Sequence, residues 1–425
     1  MKTVIVGAGQ AGAWVARTLR SLRPDVEITL VGSEAHAPYE RPSLSKGLLS
    51  RVEDSPPCLL SRSQALASDI KTRYRIEVQT IDRKDKLLRL SDGGTLPYDK
   101  LVLATGGRAR LPAIPGITLP GVHTLRTLDD AIALRDKIQA GKRMLVLGGG
   151  WIGLEVAATA KQAGMQVTVI EGGNRLCSRS VPPEVSEFLL DMHLCEGIDV
   201  QLNGSVSAIS ASTSGTVQAN THLCTQEFDL IVVGIGLQPN TALAENCGLK
   251  VDNGILVDSY GRTLDPDIYA AGDVTNQPCT WQGAVPDSRI RLESWVNAQN
   301  QGIAVGRALA GMELEAQDIP WFWSDQYDVN LQVLGIPSTE AITVQRGSKQ
   351  DRAFCLFQFT ESRLSAVIAV NMARELKLAK RWMKAGICPS PTQLSDPEFR
   401  LDKFKPKAST APPEGGVFEA TAMAG

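Results

Sequence analysis

Apolar positions along the chain recur at two spacings, and the switches between them predict most of the elements. Residues 3–6 form a β-branched apolar run, 7–12 a glycine turn, 11–22 carry helical periodicity, and 27–31 alternate as a second strand. The same pattern returns about 140 residues later: a strand at 144–147, a glycine turn at 148–153, a helix over 152–163 and a strand at 166–170. Two βαβ units in one chain predict two nucleotide sites. Buried strands running into glycine are expected within 101–106, 230–236 and 268–273. Pro112 and Pro115-Gly116 mark a crossing between domains. After Trp321-Phe322-Trp323 the chain alternates as antiparallel sheet through Ile368, and a basic helix at 374–384 follows. From Lys405 onward Pro, Ala, Gly and Thr dominate, which predicts a flexible tail over 405–425.

Composition narrows the classes. The 425 residues exceed one ordinary domain and suit two or three. With 43% apolar and 21% charged residues the chain buries a real core. A formal net charge of −2 gives no global pull toward nucleic acid or a membrane surface. The longest apolar run, 144–160, is interrupted by Glu155, and none reaches the roughly 18 residues that span a bilayer. A strand begins directly after Met1, leaving no room for a signal peptide, so a cytoplasmic location is expected. The eight cysteines (Cys58, Cys177, Cys195, Cys224, Cys247, Cys279, Cys355, Cys388) show neither C-x-x-C nor C-x-x-x-x-C spacing. No redox dithiol, iron–sulfur or zinc site is therefore written locally, and the thiols are expected to be buried small hydrophobes in a reducing compartment.

The chemistry lies in the glycine turns. Gly7-Ala8-Gly9-Gln10-Ala11-Gly12 fits G-x-G-x-x-G between a strand and a helix. Such glycines allow a tight turn, close approach of backbone to a pyrophosphate and close helix–strand packing, and the helix N-terminus adds N–H donors. Gly148-Gly149-Gly150-Trp151-Ile152-Gly153 repeats the device. There the next strand ends at Glu171, a carboxylate suited to an adenosine ribose and repulsive to a 2′-phosphate, which favours NAD over NADP. Arg175 and Arg179 stand close by, either loosening that preference or contacting the nucleotide's phosphates or ribose. The matching place in the first unit holds Gly32-Ser33-Glu34, where either Glu34 reaches the ribose or Ser33 makes a neutral bond. A charged acceptor contributes about 1.5–3 kcal/mol against about 1 for a neutral one.

Several further motifs stand in order: Tyr39-Glu40-Arg41-Pro42-Ser43-Leu44-Ser45-Lys46, Ala104-Thr105-Gly106-Gly107, Ala270-Ala271-Gly272-Asp273-Val274 and Glu293-Ser294-Trp295-Val296-Asn297-Ala298-Gln299-Asn300-Gln301. With Trp323-Ser324-Asp325-Gln326-Tyr327 they resemble the FAD-dependent NADH:ferredoxin reductases that serve bacterial aromatic-ring dioxygenases and cytochromes P450. The likeness runs from residue 1 to about residue 402.

The resemblance implies FAD and NAD as cofactors, with NADH as electron donor. For FAD it implies Gly7, Gly9, Gln10, Ala11 and Gly12 at the turn, Ser33 or Glu34 and Arg41 beyond it, and Val78 against the adenine through its backbone. Thr105 and Gly106 let the chain pass close to the cofactor, and Arg126 pairs with the pyrophosphate. Asp273, at a strand end beside the start of a helix, takes the ribityl chain, and Trp295 lies near the isoalloxazine. For NADH it implies Gly148, Gly150, Ile152, Gly153, Glu155, Glu171, Arg179 and Gly236. Lys46 and Glu155 are implied to meet beside the flavin N5. There Lys46 stabilises charge on the reduced flavin, and Glu155, displaced by NADH, orients the nicotinamide.

The fold class that follows is α/β. Two Rossmann-like nucleotide-binding domains, arranged as in glutathione reductase, are joined to a smaller C-terminal α/β domain. The FAD domain is split over 1–112 and 245–320 around an NADH domain at 113–244, with the last domain at 321–404. The split is forced, because Gly272-Asp273 belongs to the FAD site yet follows the NAD unit. Disulfide reductases need a dithiol near the flavin and usually a histidine on the C-terminal domain, and peroxide-reducing flavoenzymes one reactive cysteine soon after the first strand pair, yet no cysteine precedes Cys58 and the last histidine is His222. The partner implied is an acidic [2Fe-2S] ferredoxin feeding a terminal oxygenase, a Rieske dioxygenase or demethylase in preference to a cytochrome P450. From residue 363 to 407 roughly ten Lys/Arg face four Asp/Glu, among them Arg374, Lys377, Lys380, Arg381 and Lys384, a candidate basic docking face. The alternatives are a rubredoxin or nitrite reductase component, or an NADH-responsive binding flavoprotein resembling apoptosis-inducing factor.

Overall fold

The computed structural model describes residues 1–213, 215–313 and 315–404, so the tail expected at 405–425 lies outside the described residues. Its first sheet has five parallel strands in the order Ile268–Ala270, Lys100–Leu103, Lys2–Val6, Glu27–Gly32, Ile70–Tyr74. Continuous apolar runs such as Val4-Ile5-Val6 suit a parallel sheet covered on both faces. On one face Ile5, Ile28 and Leu30 pack against Val15 and Leu19 of helix α1 (Gln10–Leu22). On the other, Val4, Val6 and Val31 meet Val78, Leu88 and Leu90 from a small antiparallel sheet, Val78–Asp82, Leu87–Leu90 and Thr95–Pro97. Ile268–Ala270 pairs with Leu101–Leu103, so a segment far along the chain completes the sheet that residue 2 begins.

The second sheet repeats the first, in the order Asp199–Gln201, Gln166–Ile170, Arg143–Leu147, Leu230–Val233, Val122–Thr124, again all parallel. Even the turn is duplicated: Gly7 N donates to Val31 O and Gly148 N to Ile170 O, both over 2.8 Å. Helix α2 (Trp151–Gln162) follows that turn, and α3 (Pro183–Cys195) covers the same sheet. A second antiparallel sheet, Val206–Ala211, Val217–Thr221 and Thr225–Phe228, packs beside it. The crossing expected at Pro112 and Pro115 is pinned where Ile209 N donates to Pro115 O. Gly107–Ala109 pairs antiparallel with Leu237–Pro239, a second tie between the two units.

Helix α4 (Trp295–Leu309) lies along α1, capped by Ser294 Oγ accepting from Asn297 N. The C-terminal part is a five-stranded antiparallel sheet in the order Trp321–Gln326, Val329–Gly335, Arg363–Val370, Ala353–Thr360, Ile342–Ser348. Helix α5 (Ala373–Ala385) buries Leu376, Ala379, Trp382 and Met383 on it and stops at Gly386, whose φ of 66° is the left-handed cap that glycine supplies. Among the described residues no helix is long and apolar enough to cross a membrane, and no cluster of side chains is suited to a metal ion.

One expectation needs correction. Only Cys177 and Cys355 are buried; Cys58, Cys195 and Cys224 are exposed and the other three half-buried, none of them paired. Apolar character alone does not bury a small thiol in a connecting segment or at a helix end. The basic helix is also less free than its composition: Lys380 and Lys384 pair with Asp318 at 2.6 and 2.9 Å, and Arg374 reaches Asp402 at 3.4 Å. Lys377 and Arg381 on α5 have no such partner among the described residues.

Candidate active site at the seam of two nucleotide cradles

Each βαβ turn is built so that side chains cannot enter it. A Cβ on Gly7 would stand 2.1 Å from Ala104 O, and one on Gly12 only 1.9 Å from Gly7 O. Gly148 and Gly153 meet Gly234 O and Gly148 O at 2.6 and 2.2 Å in the same way. By contrast, a Cβ on Gly9, the residue that caps α1, would find nothing within 4 Å, and on Gly150, which caps α2, only Gly234 O at 3.8 Å. The turns are tight where strand meets helix and open where helix N–H groups face outward, the shape a pyrophosphate requires. Two buried polar atoms beside the first cradle, Gln10 Oε1 and Trp295 Nε1, have no hydrogen-bond partner among the described residues. Open space and unsatisfied donors and acceptors together fit a dinucleotide in that cradle.

A belt of charge lies next to it. Glu34 takes Arg41 on Oε1 at 2.6 Å and the Tyr39 hydroxyl on Oε2 at 2.5 Å, while Ser33 at the strand end is exposed. Arg41 also donates to Arg126 O, and Arg126 reaches Asp273 Oδ2 at 3.0 Å and Gly107 O at 3.0 Å. Tyr39 accepts from Leu128 N as well, and its burial pushes the phenol well above its ordinary pKa, so it stays a donor to Glu34. Asp273 follows Ile268–Ala270 but leads into a turn and another short strand. The helix start it lies beside is that of α1, where a Cβ on Gly272 would meet Ala11 Cβ at 2.9 Å. Thr105 and Gly106 are locked to Asn240 by three hydrogen bonds of 2.8 to 2.9 Å. Val78 is buried at the start of its antiparallel strand.

In the second cradle Glu171 accepts from Gly149 N at 2.6 Å and Gly173 N at 2.7 Å, bracing the glycine turn from below. Arg175 is consumed by Val181 O, Ser178 O and Ser186 Oγ. Arg179 is exposed, with its guanidinium 2.9 Å from where a Gly236 Cβ would stand. Ile152 lies on the open side of α2, 44% exposed.

The two cradles meet at one ion pair. Pro42 starts a short 3-10 turn, Pro42–Ser45, which places Ser45 inward and Lys46 at its end. Gly153 to Ala160 of α2 are all buried, and Glu155, 3% exposed, is the one charge among them. A carboxylate there must be fully partnered. Lys46 Nζ lies 2.9 Å from Oε1, Ser45 Oγ donates to Oε2 at 2.5 Å, and Ser324 Oγ donates to Oε1 at 2.6 Å. Thr159 Oγ1 holds Ser45 O at 3.0 Å. Nearby, Trp295 stands edge-on to Trp323 at 5.9 Å, and Trp323 stacks on Trp321 at 5.2 Å. Sequence reasoning missed Ser45, Asn240 and Ser324, because single polar residues at no fixed period give no signal.

Two Rossmann-type cradles facing one buried ion pair, with no disulfide among the described residues, define a pyridine-nucleotide-linked, two-nucleotide reductase scaffold. The family description Pyridine nucleotide-disulphide oxidoreductase matches residues 1–302, and Reductase C-terminal matches 321–405. The anthranilate 1,2-dioxygenase system ferredoxin--NAD(+) reductase component of Burkholderia cepacia is 41% identical over 94% of this chain and 98% of its own. Putidaredoxin reductase CamA of Pseudomonas putida is 36% identical, covering 94% and 96%. The solved covalent putidaredoxin reductase–putidaredoxin complex superposes with a TM-score of 0.90 at 35% identity, covering 94% of this chain and 97% of that one. The chain belongs to the pyridine nucleotide-disulphide oxidoreductases and, within them, to the FAD-dependent NADH:ferredoxin reductases.

Proposed function

We propose that this protein takes a hydride from NADH and delivers electrons singly to a [2Fe-2S] ferredoxin, which feeds a bacterial oxygenase. The observation that carries the reading is the Lys46–Glu155 pair at the seam of the two cradles, in place of the dithiol a disulfide reductase needs. A bound flavin supplies the conversion from two-electron to one-electron transfer, and the protein positions it. In this reading residues 1–112 and 245–320 hold FAD, 113–244 hold NADH, and 321–404 close the site over Glu155 through Ser324. Gly7, Gly9, Gln10, Ala11 and Gly12 receive the FAD pyrophosphate, joined by Arg126; Asp273 takes the ribityl hydroxyls. Ser33, exposed at the strand end, meets the ribose, while the charge of Glu34 is spent on its ion pair with Arg41. Glu171 takes the NADH ribose, with Arg179 and Gly236 along the nucleotide. A Rieske dioxygenase or demethylase is the oxygenase proposed, in line with relatives named for aromatic dioxygenase systems.

The deciding experiment is anaerobic titration of the holoprotein with NADH, followed by an oxidised [2Fe-2S] ferredoxin, with both chromophores observed. Bleaching of the flavin and then rapid reduction of the ferredoxin is the expected result. A flavin that bleaches beside a ferredoxin that stays oxidised would defeat the acceptor assignment and turn attention to rubredoxin or an NADH-responsive binding role.

Docking is proposed on a basic face that includes Lys377 and Arg381, with Lys380 and Lys384 dampened by Asp318. Raising ionic strength from about 0.01 to 0.15 M shortens the Debye length from about 30 to 8 Å. Ferredoxin reduction is expected to slow by roughly tenfold over that range while NADH-to-ferricyanide turnover stays flat. A salt-independent ferredoxin rate removes this face from the docking site.

A further inference from the structure

Glu155 is held from a second side. Ser324, which donates to it, begins a buried hydrogen-bond chain leading away from the cradles. Gln326 Nε2 donates to Ser324 Oγ at 3.0 Å, Gln326 Oε1 faces His193 Nε2 at 2.8 Å, and the Tyr327 hydroxyl lies 3.2 Å from His193 Nδ1. Ser324, Gln326 and His193 are 1%, 3% and 0% exposed, so the bonds among these three are closed to bulk water, while Tyr327 at the outer end is half-buried.

The direction of the chain follows from its carboxylate end. Glu155 only accepts, so Ser324 donates its single proton and its oxygen must take one from the Gln326 amide. That leaves Gln326 Oε1 to face His193, which donates from Nε2; Nδ1 of the neutral ring then accepts from Tyr327. Every proton points toward Glu155, and bonds aligned in one sense polarise each other. The neutral ring this requires is supplied by burial, which lowers the His193 pKa to about 4 against the opposing pull of Gln326 and Glu196. Glu196 is itself paired with Arg352 at 3.2 Å. The outer end is fixed at some cost: Tyr327 has a φ of 55°, a left-handed conformation that aromatic residues rarely adopt, with its ring edge-on to His193 at 5.4 Å.

We infer that Ser324, Gln326, His193 and Tyr327 are positioning residues for Glu155, by which the C-terminal sheet and α3 set the geometry of hydride transfer. The inference rests on the reading of Glu155 as the residue that orients the nicotinamide. It acts on the angle and charge of one carboxylate.

The test is single-turnover reduction of the holoprotein by NADH in anaerobic stopped flow, with the NADH dissociation constant taken from the concentration dependence. His193→Phe and Gln326→Leu are expected to slow the limiting rate about tenfold with the dissociation constant changed less than about twofold, the split that lost orientation produces. His193→Gln places an amide N–H where Nε2 stood and is expected to recover most of the rate. Where the core variants do not fold, Tyr327→Phe, which deletes one oxygen and keeps the ring, decides with a smaller loss of about threefold. Wild-type rates in every folded variant, or equal slowing in His193→Phe and His193→Gln, overturn the inference. Glu155→Gln separates the two failures: if it too reduces at wild-type rate, the reading of Glu155 falls; if it alone is slow, only the chain falls.

Discussion

Lys46→Ala is expected to slow reduction of the flavin by NADH by about a hundredfold, the loss typical when one preorganised charge is taken from a site where negative charge develops. The protein should remain folded and yellow. Lys46 is 21% exposed on a short turn, and its only other polar contact among the described residues is a long one of 3.4 Å to Pro42 O. Glu155 is different, being 3% exposed on a helix otherwise closed to charge. Removing Lys46 leaves that carboxylate with Ser45 and Ser324 alone, a half-partnered buried charge that costs about 3–5 kcal/mol when nothing relaxes. Part of this cost is met by water entering the space the lysine vacates, so a fall in melting temperature of a few degrees is expected. The kinetic effect should exceed the stability effect if, as proposed, the ammonium stands where electron density arrives. Lys46→Arg keeps a charge with different reach and donor geometry and should recover roughly a tenth of the rate. Stopped-flow reduction at wild-type speed in Lys46→Ala would remove Lys46 from the chemistry and leave it a structural counterion.

The parts of this fold that were legible in the sequence are those governed by local rules. A glycine whose Cβ would stand only 2.1 Å from a neighbouring carbonyl oxygen admits no other residue, so both turns announce themselves, as do the continuous apolar strands of two-sided parallel sheets. The small antiparallel sheets over 78–97 and 206–228 were not foreseen. Their strands are three to six residues long, polar on one face and broken by bulges at Val78/Thr80 and Val206/Ala208, which blurs the period-two signal. Lys46 and Glu155 were named together only through family resemblance, since no local pattern links residues this far apart in sequence. The hydrogen-bond chain behind Glu155 had no signal at all. A lone histidine on an apolar helix reads as core packing, and His193 becomes a link only when Gln326 and Tyr327 are folded against it. On the basic helix, counting charges cannot reveal that Lys380 and Lys384 share one carboxylate, Asp318.

Glu171→Arg is expected to invert the nucleotide preference, lowering the NADH-to-NADPH ratio of kcat/KM by two to three orders of magnitude, or about 3–4 kcal/mol at 1.4 kcal/mol per tenfold. Two effects add. On the proposed role of Glu171, a ribose acceptor and a repulsive carboxylate are lost, and a guanidinium able to take a 2′-phosphate in charge-assisted bonds is gained. Arg179 strengthens the new site, being exposed on the same loop, whereas Arg175 cannot, because its guanidinium is spent on Val181 O, Ser178 O and Ser186 Oγ. The structure also sets a cost that a ribose-only view would miss. Glu171 braces Gly149 N and Gly173 N, so the arginine leaves two backbone donors to find water and absolute activity should fall with either nucleotide. Glu171→Gln isolates that term: it keeps one acceptor oxygen and adds no positive charge, and should weaken NADH by roughly tenfold without improving NADPH. Steady-state kinetics with both nucleotides distinguish the cases. An unchanged ratio in Glu171→Arg, with activity lost equally for both, would make Glu171 a brace of the glycine turn and nothing more.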